Sequence, residues 1–341
     1  MKRRQVKAFH MRFGNKVLIP ELKQFIKEVL RPANVELLIL EINLAFVFNG
    51  HPEIKAGPEA LTRDDARDIV YFAREAGLEI VPLMQCLGHQ GWGGSRNALL
   101  QAYPEFDETP ETSLEAEWPE IFCRSWCPLH PEVNSVVMDL IDEMLEAFDS
   151  QYFHIGMDEV FEIASEQCPR CRGKNRAELF SQTVNQLYDH ISVKRGRQVM
   201  MWADRLIKAD KFGYDQWEAD KFGTFTALET LPQGIILLDW HYDERDQGYS
   251  SPAYLMEQGF SVMPACWYKE NVAQQLFGEA KQAAEILGVP ERYFGSLVTS
   301  WHHWDREAFD IFMGFTQQQQ ETASTNQTEF EQLYQTLTQI T

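Results

Sequence analysis

Eight short apolar runs punctuate the chain: VKAFHMR (6–12), VELLILEI (35–42), LEIVPLM (78–84), YFHIG (152–156), QVMMWA (198–203), GIILLDW (234–240), FSVMPACW (260–267) and GSLVTSW (295–301). They are rich in strand-forming residues, and several are apolar at consecutive positions. A strand that is apolar on both faces is covered on both faces, the situation of a parallel sheet in an α/β fold. Between them lie PELKQFIKEVLR (20–31), RDDARDIVYFAREAG (63–77), PEVNSVVMDLIDEMLEAF (131–148) and NRAELFSQTVNQLYDHISVKRG (175–196). Their apolar residues recur every three or four positions, the spacing of one helix face. Eight such units in about 300 residues predict an α/β fold of the (β/α)8 TIM-barrel type. The rival is an open doubly wound sheet, but its dinucleotide-binding form needs a G-x-G-x-x-G turn that does not follow the first run. The expected organisation is a catalytic domain over residues 1–320. A polar, glutamine-rich tail or final helix follows over 321–341.

The chain of 341 residues, 44% hydrophobic, is long and apolar enough for a large core. Its formal net charge of −20 repels nucleic-acid backbones and anionic membranes, so neither is an expected partner. No apolar run reaches the ~20 residues of a membrane span. The basic start, MKRRQVKAFHMRFG, has no apolar stretch behind it, so the expected location is cytoplasmic. In that setting the six cysteines read as thiols or metal ligands rather than disulfides.

Barrel chemistry sits at the C-terminal ends of the strands. Here those ends carry Arg12, then Glu41 and Asn43, then Gln85, His89 and Trp92. Asp158 and Glu159 follow the fourth run, Trp202 and Asp204 the fifth, Trp240 and Tyr242 the sixth, Trp267 the seventh and Trp301 the eighth. Any one tryptophan reads most simply as core. Five of nine around one rim, with acids among them, describe a pocket for a flat-faced ligand such as a sugar.

HIGMDEV (154–160) then resembles the H-x-G-x-D-E signature of glycoside hydrolase family 20, the β-N-acetylhexosaminidases. LILEINLAFVF, EIVPLMQCLGH, CPLHPEV and MWADRL stand around it in the family's order, most like the hexosaminidase D branch. The resemblance covers roughly residues 6–305. It implies a (β/α)8 barrel that removes terminal N-acetylglucosamine or N-acetylgalactosamine from β-linked oligosaccharides or glycoconjugates, with no cofactor for catalysis. Glu159 then matches the general acid/base and Asp158 the acid that orients the acetamido group. Trp202, Trp240 and Trp301 wall the sugar, and Tyr242 bonds the acetamide oxygen. His89 contacts substrate or supports the acids, and Arg12 grips sugar hydroxyls. Glu41 and Trp267 complete the set of substrate-binding candidates. The chain departs from the pattern in three places. LEINLAF replaces H-L-T-D-D, Asn43 stands where relatives carry a second acid, and Met157 replaces the glycine before Asp-Glu.

An adjacent acid pair suits this chemistry. Most retaining glycosidases set two carboxyls about 5–5.5 Å apart across the scissile bond. Neighbours on one strand end come from one wall and cannot flank the anomeric carbon. The nucleophile must come from elsewhere, and the 2-acetamido oxygen can supply it by closing an oxazolinium ring. Asp158 is then ionised against the acetamide N–H, and Glu159 donates its proton to the leaving oxygen. On the bare dipeptide alone, a helix cap or salt bridge is the simpler reading. A barrel glycosidase using a remote carboxylate such as Glu41, and a non-catalytic sugar-binding barrel, are the competing functions.

Four cysteines remain. Cys123 and Cys127 form C-x₃-C in one loop, and Cys168 and Cys171 form C-x₂-C just after the acid pair. Together they read either as a structural zinc site pinning two active-face loops, or as unrelated thiols.

Overall fold

The computed structural model describes residues 5–316 and 325–340. Eight parallel strands pair in chain order and close into a barrel: β1 (Val6–Arg12), β2 (Leu37–Glu41), β3 (Glu79–Cys86), β4 (Tyr152–Gly156), β5 (Gln198–Trp202), β6 (Ile236–Trp240), β7 (Ser261–Cys266) and β8 (Gly295–Ser300). β8 pairs with β1, with Val6 opposite Gly295 and Met11 opposite Ser300. The double-faced apolar runs are the physical cause. Ile39, Val81, Leu83, Met200, Leu238, Met263 and Leu297 point inward and fill the barrel. Their neighbours Leu38, Leu40, Ile80, Val199, Leu237 and Val298 point outward into the layer of helices. Each such side chain taken from water contributes about 1.5–3 kcal/mol.

The helices Arg63–Glu75, Val133–Phe148, Arg176–Tyr188 and Glu270–Ile286 cover the barrel. The first begins on a reciprocal cap. Thr62 accepts from the Asp65 amide at 3.2 Å, while the Asp65 carboxylate accepts from the Thr62 amide at 2.9 Å. The crossover from β5 to β6 has no full-length helix, only the short turns Asp204–Leu206, Ala209–Phe212 and Thr224–Thr230. Gly213 and Gly223 interrupt it at φ values of 68° and 96°, a left-handed backbone that cannot propagate a helix. At the C-terminus the helix Thr325–Gln339 lays Phe330, Leu333 and Leu337 into the outer core. Among the described residues no helix is long and apolar enough to cross a membrane.

Register places the chemistry. Arg12 pairs with Glu41, so these two residues stand side by side at the barrel's C-terminal rim. Between β3 and β4 the pairing slips. Leu83 faces His154 while Cys86 faces Gly156, so β3 carries one extra residue. Such bulges re-aim side chains beside active sites. Here the bulge brings Gln85 against Gly156, where an added Cβ would sit 1.9 Å from the Gln85 Oε1 atom.

Candidate active site

At the C-terminal mouth lies a cavity of about 330 Å³. The strand ends Arg12, Glu41, Asp158 and Glu159 open into it, together with His89 from the loop after β3. Trp240, Tyr242 and Trp301 wall one side, and Trp92 and Phe122 the other.

The acid pair follows β4 through a run of unusual backbone. Gly156, Met157 and Glu159 have φ values of 67°, 78° and 49°. Glycine adopts such angles freely, whereas other residues pay about 1–3 kcal/mol each. Met157 adopts the left-handed turn with its side chain completely buried, so the packed core around it offsets the cost of the turn. The strained run splays the two neighbouring carboxyls onto one surface.

His89 joins them. Its Nε2 lies 3.2 Å from Asp158 Oδ2 and 3.4 Å from Glu159 Oε2. Burial disfavours the His89 imidazolium, but the Cys123 sulfur and the Asp158 charge raise it well above the ordinary histidine value. Burial likewise pushes the Asp158 carboxyl up, yet His89 and a contact from Gln85 outweigh it and hold Asp158 below the usual carboxylate value. The Asp158 Oδ1 atom is buried and has no hydrogen-bond partner among the described residues. An ionised carboxylate oxygen of that kind is an acceptor waiting for a donor. Glu159 is fixed from behind. Its amide donates to Asp204 Oδ2 at 2.9 Å, and the same oxygen accepts from Arg205 Nε at 2.6 Å.

Glu41 is committed on both oxygens. His10 Nε2 lies 3.1 Å from Oε2, and Asn43 donates to Oε1 at 2.9 Å. Asn43 also accepts from the Gln85 amide at 2.8 Å. A second acid at position 43 would face Glu41 with like charge. The neutral amide instead bridges β2 to β3, using the left-handed angle (φ 51°) that asparagine tolerates.

On the aromatic side, Trp301 Nε1 donates to the Tyr242 hydroxyl at 2.8 Å, and Trp240 stacks on Tyr242 with centroids 5.0 Å apart. One expected wall residue, Trp202, and one further substrate-binding candidate, Trp267, are placed differently. Trp202 is wholly buried among the inward-facing core residues, packed on His10, His154 and Trp301, and forms the floor beneath the cavity. Trp267 stands behind Tyr242, at 5.9 Å between centroids, and does not line the cavity.

The expected four-cysteine set is not assembled. Cys123 sits under the acid pair, its Sγ 3.8 Å from the Glu159 carbonyl oxygen. Cys127, Cys168 and Cys171 do converge, and their fourth neighbour is Glu108. Spacing alone misled here, because Cys123 turns to the Glu159 carbonyl while Cys127, four residues on, turns to Cys168 and Cys171. The sequence reading also missed His10 and Phe122. His10 was visible as a polar residue inside an apolar strand; Phe122 carried no signal.

The model of glycosyl hydrolase family 20, catalytic domain, matches residues 41–328. The chain belongs to glycosyl hydrolase family 20. A beta-hexosaminidase of Porphyromonas gingivalis is 27% identical over 259 residues, covering 68% of this chain and 31% of that protein. A beta-hexosaminidase of Akkermansia muciniphila is 28% identical over 112 residues, covering 33% of this chain and 22% of that protein. The chitobiase of Flavobacterium johnsoniae superposes with a TM-score of 0.67 at 20% identity, over 97% of this chain and 48% of that one. This family 20 chain thus spans a third or less of the two curated relatives' length.

Proposed function

We propose that this family 20 barrel is an exo-acting β-N-acetylhexosaminidase. It would hydrolyse terminal N-acetylglucosamine or N-acetylgalactosamine from β-glycosides with retention. The observation that carries the reading is the unpartnered, buried Asp158 Oδ1 in the cavity, one residue from Glu159 and held beside the same histidine. Asp158 accepts the acetamide N–H and stabilises the charge that develops as the acetamide oxygen attacks the anomeric carbon. Glu159 protonates the leaving oxygen, then removes a proton from the water that opens the oxazolinium ring. The Tyr242 hydroxyl donates to the acetamide oxygen, and Trp240 and Trp301 pack on the sugar's C–H faces. Arg12 and Glu41 reach the sugar hydroxyls at the opposite rim.

Glu41 as the nucleophile of an ordinary retaining mechanism is less well supported, because both its oxygens are already engaged by His10 and Asn43. The test is turnover of aryl N-acetyl-β-glucosaminide and N-acetyl-β-galactosaminide by the chain and by Glu159→Gln. Release should fall about 10²–10⁴-fold in the variant, the usual contribution of a general acid. Turnover within a factor of a few of the parent would end this reading.

A further inference from the structure

Away from the sugar cavity, four acidic side chains meet in the protein interior. Cys127 Sγ lies 3.4 Å from Cys171 Sγ and 3.4 Å from Cys168 Sγ. One carboxylate oxygen of Glu108 joins them, and the four donor atoms all lie within 4.8 Å of one another. All four residues are buried, and all three cysteines are free thiols. A disulfide bond is about 2.05 Å long, so these sulfurs are neighbours without being bonded. Four ligands around one tetrahedral zinc, with Zn–S about 2.3 Å and Zn–O about 2.0–2.2 Å, stand roughly 3.5–3.8 Å apart. The observed sulfur spacing is close to that value.

The surroundings point the same way. Glu108 Oε1 accepts from the Ser165 amide at 3.0 Å, which aims the carboxylate, while Oε2 is buried with no hydrogen-bond partner among the described residues. A divalent ion would bind the deprotonated forms of all four and give the unpartnered Glu108 oxygen a partner.

We propose that Glu108, Cys127, Cys168 and Cys171 form a structural zinc site. Three thiolates select a soft or borderline metal. The carboxylate disfavours copper(I), and iron–sulfur clusters are usually held by four cysteines. The site is closed, with four protein ligands and no open position, so it is structural rather than catalytic. Its position gives it a purpose. Glu108 and Cys127 come from the loop after β3, which also carries His89, Trp92 and Phe122. Cys168 and Cys171 come from the loop after β4, which begins with Asp158 and Glu159. The ion would tie the two loops together and hold His89 over the acid pair.

The test reads metal directly and needs no substrate, so it stands apart from the proposed glycosidase activity. Chain purified from zinc-supplemented medium is analysed for bound metal by plasma mass spectrometry. About one zinc per chain is expected. The double variant Cys168→Ser/Cys171→Ser should hold less than about a tenth of that, Glu108→Cys should keep it, and Cys123→Ser should keep it in full. Cobalt(II) exchanged into the parent chain should give the thiolate charge-transfer and tetrahedral ligand-field bands, which keeps the test decisive if the serine variant fails to fold. Parent chain without zinc that also gives no such cobalt spectrum, a disulfide at Cys127, or equal loss of zinc in Cys123→Ser would each overturn the assignment.

Discussion

The amide of Glu159 donates to the Asp204 carboxylate across 2.9 Å, joining the end of β4 to the end of β5 behind the acid pair. Asp204 is almost completely buried and shares that oxygen with Arg205. Arg205 has further carbonyl acceptors on Gln216 and Trp217, so it is held in place whatever happens to Asp204. Removing the carboxylate leaves a buried guanidinium without its counter-charge, a loss of about 3–5 kcal/mol. Asp204→Ala should therefore lower stability by roughly that amount in urea unfolding and lower turnover too, because Glu159 loses its backbone tether. Asp204→Asn keeps an acceptor for the amide and should lose less turnover. Equal turnover in the alanine variant and the parent would show that the tether does not position Glu159.

Asp158 and His89 form a charge pair whose pH behaviour can be worked out. Asp158 lies below its ordinary 3.8 in the folded chain, so its contribution to stability is present above that value and is lost as pH falls through the folded one. His89 lies well above its ordinary 6.5, so its contribution is complete below 6.5 and is lost as pH rises through the folded one. The stability difference between the parent and His89→Gln should be largest between those two ordinary values and shrink outside them. In the same variant Asp158 loses the charge that keeps it acidic, and the acid limb of kcat/KM should move to higher pH. A pH–rate profile with an unmoved acid limb would contradict the assignment of Asp158 as the ionised member.

If the acetamide is the nucleophile, Asp158 matters most for substrates and inhibitors that carry it. Asp158→Asn removes the charge that balances the oxazolinium ion. The variant should bind a thiazoline analogue of that intermediate at least about 10²-fold more weakly, the scale on which transition-state mimics and substrates differ. Calorimetry measures this without turnover. Undiminished thiazoline binding would favour a carboxylate nucleophile.

The barrel was legible because buried parallel strands must be apolar on both faces, and all eight runs correspond to observed strands. β1 and β4 match residue for residue. The acid pair was legible as polar residues placed where a strand ends. The crossover after β5 was less so, because its polar, glycine-interrupted sequence fixes turns only through tertiary contacts. Glu108 was not legible at all. It belongs to an acidic loop, EFDETPE, with no spacing to mark it, and becomes distinctive only where three sulfurs surround it. Nor does a methionine announce a left-handed backbone, so the consequence of Met157 emerged only from its φ of 78°.

Gly156 tests the backbone side of the site. It has a φ of 67°, and an added Cβ would meet Gln85 Oε1 at 1.9 Å and Gln85 Cα at 3.0 Å. The side-chain tip could swing away, but the backbone of the β3 bulge could not move without disturbing its pairing with β4. Gly156→Ala should cost about 1–3 kcal/mol from the left-handed angle alone, measured as a lower urea midpoint at unchanged slope. Since Gln85 contacts Asp158, activity should fall more than stability at temperatures where the variant is fully folded. A variant with parent stability would mean that the bulge is plastic.

Tyr242 separates the aromatic wall's packing role from a polar one. Its hydroxyl oxygen accepts from Trp301 Nε1 at 2.8 Å, and Thr299 Oγ1, which also has the Cys266 carbonyl as an acceptor at 3.2 Å, lies 3.3 Å away. The Trp301 N–H uses it as an acceptor, and a hydroxyl that accepts there can still turn its own proton toward a ligand. Burial pushes the phenol well above its ordinary value, so it stays a proton donor throughout the working pH range. Donation to the acetamide oxygen would hold that oxygen in line for attack on the anomeric carbon, a positioning role. Tyr242→Phe keeps the ring, and with it the stacking on Trp240 at 5.0 Å, while removing only the hydroxyl. The expected result is a fall in kcat of up to about 10²-fold, the scale for a misplaced reacting group, with KM changed far less. Tyr242→Ala should raise KM as well, because it removes the wall. A phenylalanine variant that changes KM alone would make Tyr242 a binding surface and remove it from the chemical step.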